Sequence, residues 1–90
     1  MIVELGEIAE PAALAARIET LARDADILRV KGYAAVTGKP MRMLVQAVGA
    51  RVRTQYDRPW RADEARQTRL VVIAEHDRIN PARIRAALQG

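Results

Sequence analysis

The first helix is predicted by a run of helix-forming residues that begins at a proline. From Pro11 to about Ala25 the residues are mostly Ala, Leu, Arg and Glu, which have high helix propensity. Proline is favoured in the first turn of a helix, because the amide hydrogen that it lacks would have no partner there. Apolar residues recur at spacings of four, three and four positions, at Leu14, Ile18, Leu21 and Ala25. This spacing predicts one apolar stripe that faces a core.

Alternation of polar and apolar residues predicts three strands in the middle of the chain. Residues 27–36 alternate, and one of their faces carries two cations and an aromatic ring, at Arg29, Lys31 and Tyr33. Residues 37–40 contain glycine and proline and predict a turn, after which residues 41–48 return as a second strand. Residues 51–56 alternate basic and less polar residues, which predicts a third strand with one face in water.

The remaining segments complete an α+β pattern. Residues 57–68 predict a polar connection, and residues 69–75 form the most apolar segment, which is typical of a strand covered on both faces. Asn80 followed by Pro81 predicts the start of a last helix that runs to about Gln89. Residues 2–5 are either a first strand or a lead-in. We therefore predict one domain over residues 1–90, a small and mostly antiparallel sheet of four to five strands with two helices, in the order (β)αββββα.

If both helices cover one face of this sheet, the other face is half basic and half apolar. We predict that this face docks a protein partner and that its cations steer the encounter. Trp60 is expected to cover one end of the sheet, with an interface anchor as its functional alternative. The candidate docking residues are Arg29, Lys31, Tyr33, Arg42, Arg53 and Trp60.

Composition excludes most catalytic chemistry. The 90 residues contain no cysteine and one histidine, His76, which rules out thiolate metal sites and His-pair zinc sites. No serine is present, no phosphate-binding GxxxxGK(S/T) motif occurs, and no apolar run approaches the roughly 18 residues of a membrane span. We therefore expect a cytoplasmic protein that is not an enzyme, with no catalytic, cofactor-binding or metal-binding residues of its own.

Charge is distributed unevenly and leaves an alternative function open. Residues 1–26 hold two basic and six acidic side chains, a net charge of −4, whereas residues 27–90 hold thirteen basic and five acidic ones, a net charge of +8. The two regions either neutralise each other within one fold or indicate a small basic nucleic-acid-binding domain. Only three aromatic residues are present, at Tyr33, Tyr56 and Trp60, and this is few for a sheet on which bases stack.

Five blocks of the sequence, in their order and spacing, resemble the C-terminal domain of CobW-type proteins. These proteins are P-loop GTPases associated with cobalamin biosynthesis and metal delivery. The blocks are ILRVKGY at 27–33, GKP at 38–40, LVQAVG at 44–49, RPW at 58–60 and TRLVVI at 68–73. The resemblance extends over essentially the whole chain, from the first helix to the last.

The resemblance implies a non-catalytic interaction or regulatory module of a GTP-dependent cobalt chaperone in cobalamin biosynthesis. In that family GTP hydrolysis and the metal-binding cysteine motif belong to an upstream domain, so GTP and a divalent metal are expected only there. The implied partners are the GTPase domain, in cis or in trans, and cobalt-insertion proteins or a client metalloprotein. A second copy of the chain is a further partner, whereas nucleic acid and membranes are not expected.

A third functional class is a small acyl-phosphate hydrolase, which would need an anion-binding loop at residues 45–51. The glycines there are poorly arranged for such a loop, and no matching asparagine is evident.

Overall fold

Five strands and two helices make up the computed structural model of the chain, which describes residues 1–24, 27–74 and 80–89. The elements, in chain order, are β1 (Ile2–Leu5), α1 (Pro11–Asp24), β2 (Ile27–Ala34), β3 (Met41–Val48), β4 (Arg51–Pro59), β5 (Thr68–Ala74) and α2 (Pro81–Gln89). The predicted α+β fold is confirmed, and residues 2–5 are a strand. Among the described residues no helix is both long and apolar enough to cross a membrane.

The strands form one antiparallel sheet in the order β1-β5-β2-β3-β4. Strands β2, β3 and β4 follow one another as neighbours, and β5 then returns across the sheet to lie between β1 and β2. The hairpin between β3 and β4 closes over two residues, because Val48 pairs directly with Arg51. Its first turn residue, Gly49, has a φ of 56°, in the left-handed region that favours glycine.

Both helices pack against the same face of the sheet. Leu14, Ile18 and Leu21 of α1 are buried, as their spacing predicted, and the fourth predicted position, Ala25, lies outside the described residues. Helix α2 contributes Ile84 and Leu88. Asn80 caps α2, since its side-chain oxygen accepts a hydrogen bond from the amide of Arg83 at 3.1 Å. Strands β3 and β5 contribute alternate side chains to this core, at Met43, Val45 and Ala47 and at Leu70 and Val72.

Two sequence predictions about the strands were wrong. The apolar segment of β5 is covered on one face only, because Leu70 and Val72 are buried whereas Val71 and Ile73 are 40% and 50% exposed. An apolar run does not reveal how many layers cover it, and here both helices lie on one side. The predicted polar connection also begins too early, because β4 continues to Pro59. A β-bulge keeps β4 paired with β3 beyond Tyr56.

Gly32 lies in the central strand β2, where its neighbours leave no space for a side chain. It pairs with Val45 of β3 on one side and with Leu70 of β5 on the other. A Cβ atom at this position would overlap the carbonyl oxygen of Arg69 and would lie 2.9 Å from the Cα atom of Leu70. Both obstacles are backbone atoms, which cannot move without displacing β5.

We predict that Gly32→Ala lowers the free energy of unfolding by at least about 2 kcal/mol, because the added methyl group forces two central strands apart. Urea unfolding followed by circular dichroism measures this loss. Gly6→Ala is the matched control, since no atom lies within 4 Å of a Cβ built there. Equal stabilities of the two variants would contradict the prediction.

Candidate docking surface

The side of the sheet that faces away from α1 and α2, here called the open face, carries side chains from all five strands. Strand pairing places these side chains in three rows across the sheet. The first row is Ile2, Val71, Lys31, Gln46 and Arg53. The second is Ile73, Arg29, Val48 and Arg51, and the third is Glu4, Arg69, Tyr33, Leu44 and Gln55. Apolar and cationic side chains alternate along the second row, and the other two rows also contain both kinds.

Four β-branched apolar side chains are exposed on the open face. The exposed fractions are 45% for Ile2, 62% for Val48, 40% for Val71 and 50% for Ile73. Single exposed apolar residues are ordinary, but several on one flat face indicate an interaction surface. Val48 follows from the alternation in β3, whereas Val71 and Ile73 are exposed because both helices lie on the other side of β5. Ile2 joins them because β1 pairs with β5.

Five cations share this face with the apolar side chains. They are Arg29, Lys31, Arg51, Arg53 and Arg69, and all five residues are exposed. None of them forms an ion pair with another of the described residues. Arg69 was not among the predicted docking residues, although it lies directly opposite Tyr33. The open face is thus positively charged, with charges that a partner could neutralise.

Two aromatic side chains, Tyr33 and Trp60, lie in contact at one end of the open face. The Tyr33 and Trp60 rings meet edge to face, with centroids 5.7 Å apart and an interplanar angle of 73°. The Arg42 guanidinium lies over the Tyr33 ring at 5.0 Å, and that of Arg66 lies over the Trp60 ring at 5.7 Å. The Trp60 amide donates to the carbonyl of Pro40 at 3.0 Å and so holds the chain after β4 against the β2–β3 turn.

Two ion pairs fix this end of the sheet. The bulge in β4 brings Asp57 to Arg42, with Nη2 and Oδ2 2.6 Å apart, and this hydrogen bond lowers the pKa of Asp57. Arg58 binds Glu64 through two parallel hydrogen bonds of 2.6 and 2.7 Å. The hydrogen bonds from Arg58 and then from the amide of Arg61 lower the pKa of Glu64 to about 2. Arg42 is therefore already paired, whereas Arg29, Lys31 and Arg53 form no ion pair within the part of the chain that the structure describes.

The whole chain, residues 1–90, matches the family described as the cobalamin synthesis protein cobW C-terminal domain. The chain belongs to this family. The resemblance inferred from the five sequence blocks is thereby confirmed, and the βαββββα order is the architecture of this CobW C-terminal domain.

Named relatives and solved structures agree with the assignment. The domain is 55% identical over 87 residues to a protein named zinc chaperone CobW from a Sinorhizobium species, an alignment that covers 97% of this chain and 24% of that protein. It is 58% identical over 73 residues to a protein of the same name from Pseudomonas aeruginosa, with coverage of 81% and 19%. The crystal structure of the Zn(II)-bound YjiA GTPase from E. coli matches with a TM-score of 0.72 at 29% identity, over 100% of this chain and 28% of that chain. The CobW C-terminal domain studied here therefore spans a minor part of each relative.

The sequence of this domain has no GxxxxGK(S/T) motif and no cysteine. In the described ranges no group of three or more His, Asp or Glu side chains is arranged to hold a metal. His76 lies outside the described residues.

We predict that the Arg58–Glu64 pair makes a stability contribution that depends on pH. The pKa of Glu64 is lowered to about 2 from an ordinary value of 4.5. A group whose pKa is lowered by folding stabilises the folded state above its unfolded pKa, and this contribution disappears as the pH falls from about 4.5 to about 2. Urea midpoints of the parent chain should therefore exceed those of Glu64→Gln at pH 7, and the difference should close at pH 2.

The effect is small, because both partners are accessible to solvent, so the comparison needs a matched control. Asp63→Asn removes one negative charge from the same loop, at an exposed residue that forms no ion pair within the described chain. A difference between the parent and Glu64→Gln that stays constant from pH 7 to pH 2 would refute the prediction.

Proposed function

We propose that this chain is the non-catalytic C-terminal module of a GTP-dependent zinc chaperone and that its open face binds the GTPase domain of the same polypeptide. The relatives are named zinc chaperones, the matching structure is a zinc-bound GTPase, and the chain spans 19% to 28% of their lengths. The sequence resemblance led us to expect cobalt as the metal. The names of these relatives support zinc instead, so zinc is the metal in the proposal.

The observation that carries the proposal is the set of exposed β-branched side chains on the open face. Protein interfaces combine an apolar centre with a polar rim, and aromatic and arginine side chains are enriched in them. Val71 pairs with Lys31 across adjacent strands, and Ile73 pairs with Arg29. A partner that contacts the apolar side chains would therefore also contact the cations. A partner surface with apolar side chains bordered by carboxylates would complement this arrangement.

The aromatic end of the face disfavours the alternative of nucleic-acid binding. A base-stacking platform needs an aromatic ring with a free face. Arg42 already lies over the Tyr33 ring, and Trp60 contacts the same ring edge to face. The exposed cations remain able to attract phosphate, so the binding experiment includes a nucleic-acid arm.

We predict that the double charge reversal Arg29→Glu/Lys31→Glu raises the Kd for the separately purified GTPase domain at least about tenfold. The two new carboxylates would face the carboxylates that the proposal expects on the GTPase domain and would repel them. Isothermal titration calorimetry of the two purified domains measures the Kd. The parent interaction should also weaken as salt is added, since its charges are exposed.

The matched control is Arg23→Glu/Arg83→Glu, which makes the same change in net charge at exposed positions on the two helices. Its Kd should equal that of the parent. If both double variants bind like the parent, or if the parent binds a single-stranded oligonucleotide but not the GTPase domain, the open face does not have the proposed role.

A further inference from the structure

The outer edge of β4 is a long strand edge without a neighbour. β4 is the last strand in the sheet order and runs for nine residues. Within the described chain, no hydrogen bond from another element reaches the outer edge of residues 51–56. The opposite edge differs, because β1 has four residues and Arg85 of α2 donates to the carbonyl of Glu4 at 3.3 Å. An uncovered edge of this length is a template for a further strand.

Tyr56 places an exposed aromatic ring at this edge. Among the exposed large apolar side chains of the described residues, four lie on the open face, and Tyr56, at 41% exposure, lies on the side of the helices. Its register partner Met43 is buried in the core, and Val52 of the same strand is packed against that core. The edge thus presents a partly covered valine and an uncovered aromatic ring, four residues apart.

We propose that a second copy of this chain pairs with β4 in antiparallel orientation, with the two Thr54 residues directly opposite each other. In this register Val52 lies opposite Tyr56 of the second copy, which forms an aromatic–β-branched pair on the helix side. Arg53 lies opposite Gln55, and Arg51 lies opposite Asp57, whose carboxylate would then face Arg51 as well as its own partner Arg42. The proposal is independent of the proposed function of the open face.

Neighbouring registers fit less well. Opposite residues of antiparallel strands point to the same side of the sheet, so the symmetry axis must pass through one residue and its copy. An axis at Arg53 would place two guanidinium groups against each other. An axis at Gln55 would place Val52 opposite Arg58, which is held by Glu64. The axis at Thr54 alone joins apolar to apolar and positive to negative.

The resulting assembly is one continuous sheet of ten strands, two sets of five. All four helices lie on one of its sides and both open faces lie on the other. Self-pairing through β4 therefore leaves the open faces accessible, and it doubles the apolar and cationic surface offered to a partner.

A cysteine introduced at the axis tests both the pairing and its register, because the chain has no cysteine of its own. Thr54→Cys would place two thiols across the axis with Cα atoms about 4.5–5.5 Å apart, inside the range that a disulfide bridges. Gln46→Cys is the matched control at an exposed position of β3, outside the pairing edge, and its two copies would be separated by three strand spacings, or about 14 Å. Under mild oxidation we expect Thr54→Cys to give a covalent dimer on a non-reducing gel, whereas Gln46→Cys does not crosslink.

Sedimentation equilibrium gives a second readout that needs no crosslink. The parent chain should show a monomer–dimer equilibrium, and Thr54→Lys should raise its Kd at least about fivefold, since like charges would lie directly opposite each other. Circular dichroism checks that the variant is folded, as expected for a substitution at an exposed position. Equal crosslinking of the two cysteine variants, or a parent chain that is monomeric at all concentrations, would overturn the proposal.

Discussion

Both helices of this CobW C-terminal domain pack on the same side of a five-stranded sheet, and burial of that side sets the orientation of every strand. Leu14 and Ile18 of α1 meet Leu70 and Val72 of β5 in one core. Because side chains alternate along a strand, each residue buried there sends its neighbours to the opposite side. The exposed valines and isoleucines of the open face therefore result from the one-sided core.

This constraint separates residues that stabilise the domain from those that are available to a partner. Arg42 and Arg58 are committed to ion pairs that hold the bulge and the following loop in place. Arg29 and Lys31 lie in the middle of the sheet, are exposed, and have no carboxylate partner among the described residues. An arginine count alone cannot make this distinction, since all four side chains carry the same charge.

This separation of stabilising and exposed cations is consistent with a domain that spans 19% to 28% of the length of its relatives. Its sequence contains no GxxxxGK(S/T) motif and no cysteine. The described residues form a cationic and partly apolar face and, at β4, a strand edge without a neighbour. The two features lie at different parts of the sheet.

Local patterns in the sequence determined the two helices, the alternation in β2, β3 and β4, the family, and the basic and apolar character of one face. Tertiary structure decided which strands are neighbours, because hydrogen bonding between distant segments leaves no periodic signal. It placed β5 between β1 and β2, which brought Ile2 and Arg69 to the open face. It exposed one side of β5, since an apolar run looks the same whether one layer or two cover it. It also joined Arg42 to Asp57 across a bulge, fifteen positions apart in the chain, where only folding brings the two charges together.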